Sequence, residues 1–247
     1  AETHLYHLIK KQVENKNTVY VVFLKGNGYW KKYLNKIGVK VYKLSFENRY
    51  NFFNFLKVFF NLQKLIAKHK PKIVHAHLTT MELFGALLKY TLRNKFSFVV
   101  TKHLDSFFLE ASFGRKNFFR GIFIDKFIIN KCDKVICISN QVKKYFEKKI
   151  PYPQKYKVIY YGFSIKDFKS SSNINRTLRN IKFKYKINQK DIIFSNVARH
   201  VKQKSLDILI KAYSIYSKKN KNSKLILVGK GPETNNLKKL ALQLNIN

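Results

Sequence analysis

Between Phe194 and Asp207 the sequence FSNVARHVKQKSLD sets Arg199, His200, Lys202 and Lys204 between an apolar run and a helical pattern led by Leu206, Leu209, Ile210 and Tyr213. This order predicts strand, basic loop, helix. At such a junction the unpaired backbone N–H groups and the positive end of the helix dipole favour an anion. Fixed cations beside them favour one carrying more than one charge, and a diphosphate is the natural guest; in a chain that is basic throughout, these fourteen residues alone read first as a solvated basic turn.

Other candidates stand where predicted strands end, the edge at which open parallel sheets bind ligands. His77, His103, Ser139 and Gly162 close four successive strand patterns, Arg199 follows the next, and Gly229-Lys230-Gly231 follows the last. His75 shares a face with His77 by strand alternation, and its mid-strand position predicts a hydrogen-bonded core histidine. In LILVGKGPE, Leu225 to Glu233, the two glycines let the backbone approach a ligand closely or simply make a tight strand-to-helix turn, and Pro232 suits a first helical turn. The run lacks the third glycine of a dinucleotide fingerprint and the Gly-Lys-Ser/Thr of a P-loop.

Strand and helix patterns alternate along the chain. Apolar runs at Val19–Leu24, Val39–Phe46, Ile73–His77, Phe96–Thr101, Lys134–Ser139 and Val158–Tyr161 predict six strands, with helical periods between them. The stripe Phe52, Phe55, Leu56, Phe59, Leu62 and Ile66 predicts a helix with a wide apolar face, ended by Pro71. No clear period runs from Asp105 to Arg115, which reads as a loop. Lys169-Ser170-Ser171-Ser172-Asn173 reads as a linker, after which alternation resumes with strands Ile192–Val197 and Leu225–Val228. The expectation is an α/β chain of doubly wound parallel sheets: a first domain over residues 1–165, a linker over 166–185, and the start of a second domain over 186–247.

The chain has 247 residues, 45% of them hydrophobic, enough for a core, and no run approaches the roughly 20 apolar residues of a membrane span. It opens without Met inside a helical pattern and closes directly behind another, so a piece of a longer chain is expected. Fifty Lys+Arg against 13 Asp+Glu give a net charge of +37. Such a field attracts nucleic acid, anionic lipid or phosphorylated small molecules. No nucleic-acid module accompanies the dispersed lysines, so nucleic acid is the least favoured partner. Cys132 and Cys137 read as buried free thiols of a reducing compartment, and no paired ligands at zinc spacing occur.

Taken together, AETHL (1–5), VHAH (74–77), TKH (101–103), CDKVICIS (132–139), VIYYGF (158–163), VARHVKQKSLDILIKAY (197–213) and LVGKGPETNNLKKLA (227–241) resemble a family 4 glycosyltransferase of the two-Rossmann-domain GT-B type. The resemblance implies a retaining enzyme of hexosyltransferase type that transfers a sugar from a nucleotide-sugar donor to a glycan or lipid-linked acceptor in cell-envelope polysaccharide, lipopolysaccharide or other glycolipid synthesis, without a metal or other cofactor. It implies that Arg199 and Lys204 hold the donor diphosphate, that His103 meets the transferring sugar, and that Gly162 lies near the cleft, with His77, Ser139, Gly229 and Gly231 as further candidates. It places the first strand of the family upstream of Ala1 and the donor-site glutamates downstream of Asn247, so the piece by itself is expected to be inactive.

Two departures stand out. Ser205 occupies the position where the family commonly has glycine after the second cation, and Tyr161-Gly162-Phe163-Ser164 replaces the usual Asn-Gly-Ile/Val-Asp. The expected location is cytoplasmic, with peripheral attachment to the inner face of an anionic plasma membrane suggested by the basic surface. The helix Phe52 to Ile66 is read as core rather than membrane contact. Two rival classes remain: a non-transferring, epimerase-like relative with the same fold, and a basic nucleic-acid-binding protein.

Overall fold

The computed structural model describes residues 2–26, 28–46, 52–93, 95–104, 121–162 and 174–246, and the chain divides into two compact units, Ala1–Ser164 and Ile165–Asn247. The loop expected over 105–115 and the polar run 169–173 lie outside the described residues.

In the first unit, α1 (Glu2–Glu14), β1 (Tyr20–Phe23), α2 (Tyr29–Lys36), β2 (Lys40–Lys43), α3 (Phe52–His69), β3 (Ile73–His77), α4 (Thr79–Thr91) and β4 (Ser97–Lys102) alternate. They are followed by α5 (121–131), β5 (Lys134–Cys137), α6 (Asn140–Lys149) and β6 (Tyr156–Val158). The six strands are present and every pairing is parallel, but they form two ladders: β1-β2, and β3-β4-β5-β6. No ladder joins β1 to β3 among the described residues. Apolar packing nevertheless runs past that break, because Leu24 and Phe46 share one core with Ala76, Phe84, Val100 and Val135. The alternating residues Val21, Val39 and Val41 turn to a smaller core under α1 and α2, around Ile9 and Leu34. Burial on both faces is what the unbroken apolar runs demand.

The sixth strand ends at Val158, earlier than the apolar run to Tyr161 suggests. Its ladder partner β5 ends at Cys137, where Ile159 N–H makes the last bond to the Cys137 carbonyl, so Tyr160 and Tyr161 have no strand to pair with. Cys132 and Cys137 are free and buried, and burial pushes both thiols up to about 11.

The second unit comprises α7 (Ile174–Lys184), β7 (Ile192–Val197), α8 (Leu206–Lys219), β8 (Ser223–Val228) and α9 (Thr234–Gln243), with β7 and β8 parallel. The polar span read as a linker therefore contains a helix. α7 has no buried residue from 176 on, and leaves Leu178 and Phe183 exposed. Leu206, Ile210 and Leu237 form the core with Leu225 and Leu227, whereas Ile192, Ile193, Val197 and Val228 stay exposed.

Candidate functional site

The carboxyl ends of β3 and β4 bring the predicted histidines together. His77 and Thr101 are ladder partners, so on one face of the sheet His75 sits beside Thr101 and His77 beside His103. His75 Nε2 lies 2.7 Å from Thr101 Oγ1, and His77 Nδ1 lies 3.0 Å from His103 Nε2. The remaining nitrogen of His103, Nδ1, is hydrogen-bonded to the Tyr161 hydroxyl, and Tyr161 in turn packs its ring on His4 with centroids 4.1 Å apart. Tyr161, at the position where the resemblance expects asparagine, is thus a residue of this cluster that the sequence reading did not select. It is 40% exposed, the most open member of the group.

Burial, the largest cause at each ring, holds the imidazoles neutral: His77 is lowered to about 3, and His75 and His103 to about 4. His77 Nε2 is buried with no hydrogen-bond partner among the described residues. The backbone just beyond is strained, because Leu78 caps α4 at φ 68° and ψ 142°, a region L residues rarely adopt.

The opposite face of β4 carries a second group that sequence reasoning missed. Lys102, 5% exposed, places Nζ 2.5 Å from Glu82 Oε2 on α4 and 2.6 Å from Asp125 Oδ1 on α5. Burial opposes a charge on Lys102, but its two carboxylate partners outweigh that cost and keep it ionised, while burial pushes the Glu82 carboxyl up. The Glu82 N–H also bonds to the Leu78 carbonyl at 3.0 Å. One ion cluster therefore ties the residue before His103 to the helical turn that follows His77. A charged residue at the end of an apolar strand was its only sequence signal.

Ser139 and Gly162 take no comparable part. Ser139 caps α6, its Oγ accepting the Val142 N–H at 3.2 Å, and Gly162 is exposed with open space where a side chain would stand.

In the second unit, Arg199 and Lys204 are both exposed, Arg199 two residues before Val201 and Lys204 closing the 3-10 turn Lys202–Lys204, and neither forms an ion pair among the described residues. The loop bearing them is pinned from below. A Cβ on Gly229 would lie 1.9 Å from the Ala198 carbonyl oxygen, and one on Gly231 would lie 2.2 Å from that of His200. Those close approaches allow the Ala198 N–H to bond Val228 O at 3.0 Å and the Glu233 N–H to bond His200 O at 3.0 Å. His200 does not face solvent: it is 6% exposed, with Nδ1 3.0 Å from Thr234 Oγ1. Gly229 and Gly231 thus act in this structure by locking two loops together. Among the described residues no group of three or more His, Cys, Asp or Glu side chains is arranged to hold a metal ion.

Residues 1–167 match the family model Glycosyltransferase Family 4, and residues 178–247 match Glycosyl transferases group 1. The chain belongs to glycosyltransferase family 4. Its fold is the GT-B fold of that family, as solved structures show. Anabaena Alr3699/HepE, crystallised with UDP and glucose, is 17% identical, with a TM-score of 0.76 over 100% of this chain and 64% of its own. A glycosyltransferase from Rickettsia africae is 21% identical, with a TM-score of 0.72 over 99% of this chain and 62% of its own. WaaB, a lipopolysaccharide outer core galactosyltransferase, is 16% identical, with a TM-score of 0.63 over 99% of this chain and 61% of its own. This family 4 chain thus spans less than two thirds of the length of these structures. No curated protein matches the sequence.

Proposed function

We propose that this chain is part of a retaining glycosyltransferase that moves a hexose from a nucleoside-diphosphate sugar to a glycan or lipid-linked acceptor of the cell envelope, without a metal. The observation that carries the reading is the pair of exposed cations, Arg199 and Lys204, without an ion-pair partner among the described residues, on a loop whose backbone is locked by Gly229 and Gly231. In transfer, the bond from the anomeric carbon to the β-phosphate oxygen breaks and its electron pair goes to the departing diphosphate, while the acceptor oxygen bonds to that carbon and loses its proton. Two fixed cations lower the energy of the charge that develops on the diphosphate. His103, kept neutral, can accept or donate one hydrogen bond to a sugar hydroxyl when Tyr161 gives up its place on Nδ1. Support for a uridine donor comes from HepE, whose structures contain UDP and UDP-glucose.

Calorimetric titration of the full-length protein with UDP and UDP-hexoses tests the assignment. Arg199→Ala and Lys204→Ala should each weaken donor binding by about 2 kcal/mol or more, the usual cost of deleting a charged hydrogen bond to a bound anion. Unchanged affinity in both variants would remove these residues from the donor site. Donor binding without transfer to any acceptor would favour the epimerase-like reading.

A further inference from the structure

Lys102 is a buried cation that the chemistry proposed above leaves unused. Its ammonium has three N–H groups. Glu82 on α4 takes one at 2.5 Å, Asp125 on α5 takes another at 2.6 Å, and the ring of Phe146 on α6 lies with its centroid 5.2 Å from Nζ. Glu82 is 2% exposed and Asp125 8%, so the whole cluster is shielded from water. Stability alone does not account for it: desolvation offsets most of the attraction within a buried ion cluster, and apolar side chains of similar volume often hold a fold as well. What the cluster does provide is a fixed arrangement, on the sheet face opposite the histidine pair.

Lys102 immediately precedes His103, and Glu82 stands in the first turn of α4, whose N-cap Leu78 immediately follows His77. A residue strained as Leu78 is, at φ 68° and ψ 142°, persists only where its surroundings over-determine it. On one side it is held by β3, through the ladder that pairs His77 with Thr101. On the other it is held by α4, through the Glu82 N–H on the Leu78 carbonyl and the Glu82 carboxylate on Lys102. The two strand ends are thus tied twice, on one face by His77 Nδ1 and His103 Nε2 at 3.0 Å and on the other by the ion cluster. Each neutral ring carries one N–H, so the bond between the rings decides whether His103 Nδ1 is left as a donor or as an acceptor. We propose, resting on the reading that His103 meets the transferring sugar, that Lys102 with Glu82 and Asp125 is a positioning device for His103. The cluster sets the spacing of the two strand ends and, through it, the hydrogen-bonding character that His103 offers to the sugar. Lys102 itself, 5% exposed, acts through His103 and not on the substrate.

The test uses the full-length protein with isotope-labelled histidine, whose ring-nitrogen shifts report the tautomer of each imidazole, together with steady-state turnover of UDP-hexoses with water as acceptor. Glu82→Leu cuts the tie to α4 and leaves Lys102 paired one to one with Asp125. A triple variant, Lys102→Met with Glu82→Leu and Asp125→Val, removes every charge from the cluster. Both should melt close to the native temperature, because neither leaves a buried charge without a partner. The native protein should show one fixed tautomer each for His77 and His103, and the variants a mixture. In the variants kcat should fall about tenfold or more, as misplaced reacting groups cause. The donor KM should not move, because Arg199 and Lys204 lie in the other unit. Native histidine shifts and native kcat in a folded variant overturn the proposal. So does a drop in kcat that only tracks a drop in melting temperature, or failure of both variants to fold, which would make the cluster a support of the fold itself. If the native protein turns over no UDP-hexose, the sugar-transfer reading fails, and the histidine shifts alone still decide whether Lys102 sets the pairing.

Discussion

His75, His77 and His103 crowd the end of one sheet as neutral rings, and their neutrality has a consequence for stability. Each folded pKa, about 4, 3 and 4 respectively, lies below the ordinary value of 6.5 because burial penalises the charged ring. Between those values the unfolded chain binds more protons than the folded one. The stabilisation is therefore complete above about pH 6.5 and is lost as pH falls toward 4, at up to about 1.4 kcal/mol per pH unit for each ring. His103 contributes less than the others, being more exposed to solvent screening, and Glu82, pushed up by burial, acts in the opposite sense. Urea midpoints should fall between pH 7 and pH 5, and His77→Phe should flatten the slope. A native profile that is flat over that range would show that the cluster opens without cost. The histidines were legible in the sequence because strand ends are fixed points. Lys102, Glu82 and Asp125 were not, because they lie 20 and 23 residues apart in the chain and only packing brings them within 2.6 Å.

At the scale of single elements, the loop from β7 to α8 explains one departure from the family pattern. Ser205 precedes α8 at φ 46° and ψ 39°, the left-handed region that glycine occupies freely and L residues at a cost of about 1–2 kcal/mol. Ser205→Gly relieves that cost but adds freedom to the unfolded chain worth about 0.4–1 kcal/mol. A net gain of roughly 0.5 kcal/mol is expected in chemical denaturation, and a loss of stability would mean that the serine hydroxyl is doing more than tolerating the turn. The two glycines at 229 and 231 were read as close backbone approach to a ligand or as a tight strand-to-helix turn. The structure shows the close approach to be to the chain itself, at Ala198 and His200. Helices that bury an apolar face were placed to within a few residues, whereas α7 was read as linker although Ile174, Leu178 and Ile181 recur at helical spacing, because the polar run before it set the reading; no residue of α7 from 176 on is buried. α3 was legible as an amphipathic helix, but its exposed Phe53 and Phe60 could not be told from its core phenylalanines without knowing which side met the core.

Across the whole molecule the dominant quantity is charge. With 50 cationic side chains against 13 acidic ones and few ion pairs among the described residues, mutual repulsion opposes the compact state. Raising ionic strength from about 0.02 to 0.2 M shortens the Debye length to below roughly 10 Å. It should raise the melting temperature by a few degrees, and scanning calorimetry in sodium chloride would show it. A melting temperature indifferent to salt would place the lysines too far apart to repel. Apart from α7, the order of strands and helices, the parallel sheets and the strand-end positions of His77, His103, Arg199 and Gly229 were determined by the sequence itself, because period, glycine placement and apolar runs are local properties of the chain. Tertiary structure alone decided that among the described residues β1-β2 and β3-β4-β5-β6 form separate ladders over a shared core, and that His77, His103 and Tyr161 form one hydrogen-bonded group. It also decided that Lys102 is buried between two carboxylates and that Phe53 and Phe60 face solvent. Each of these depends on which distant surfaces meet, and no local pattern encodes that.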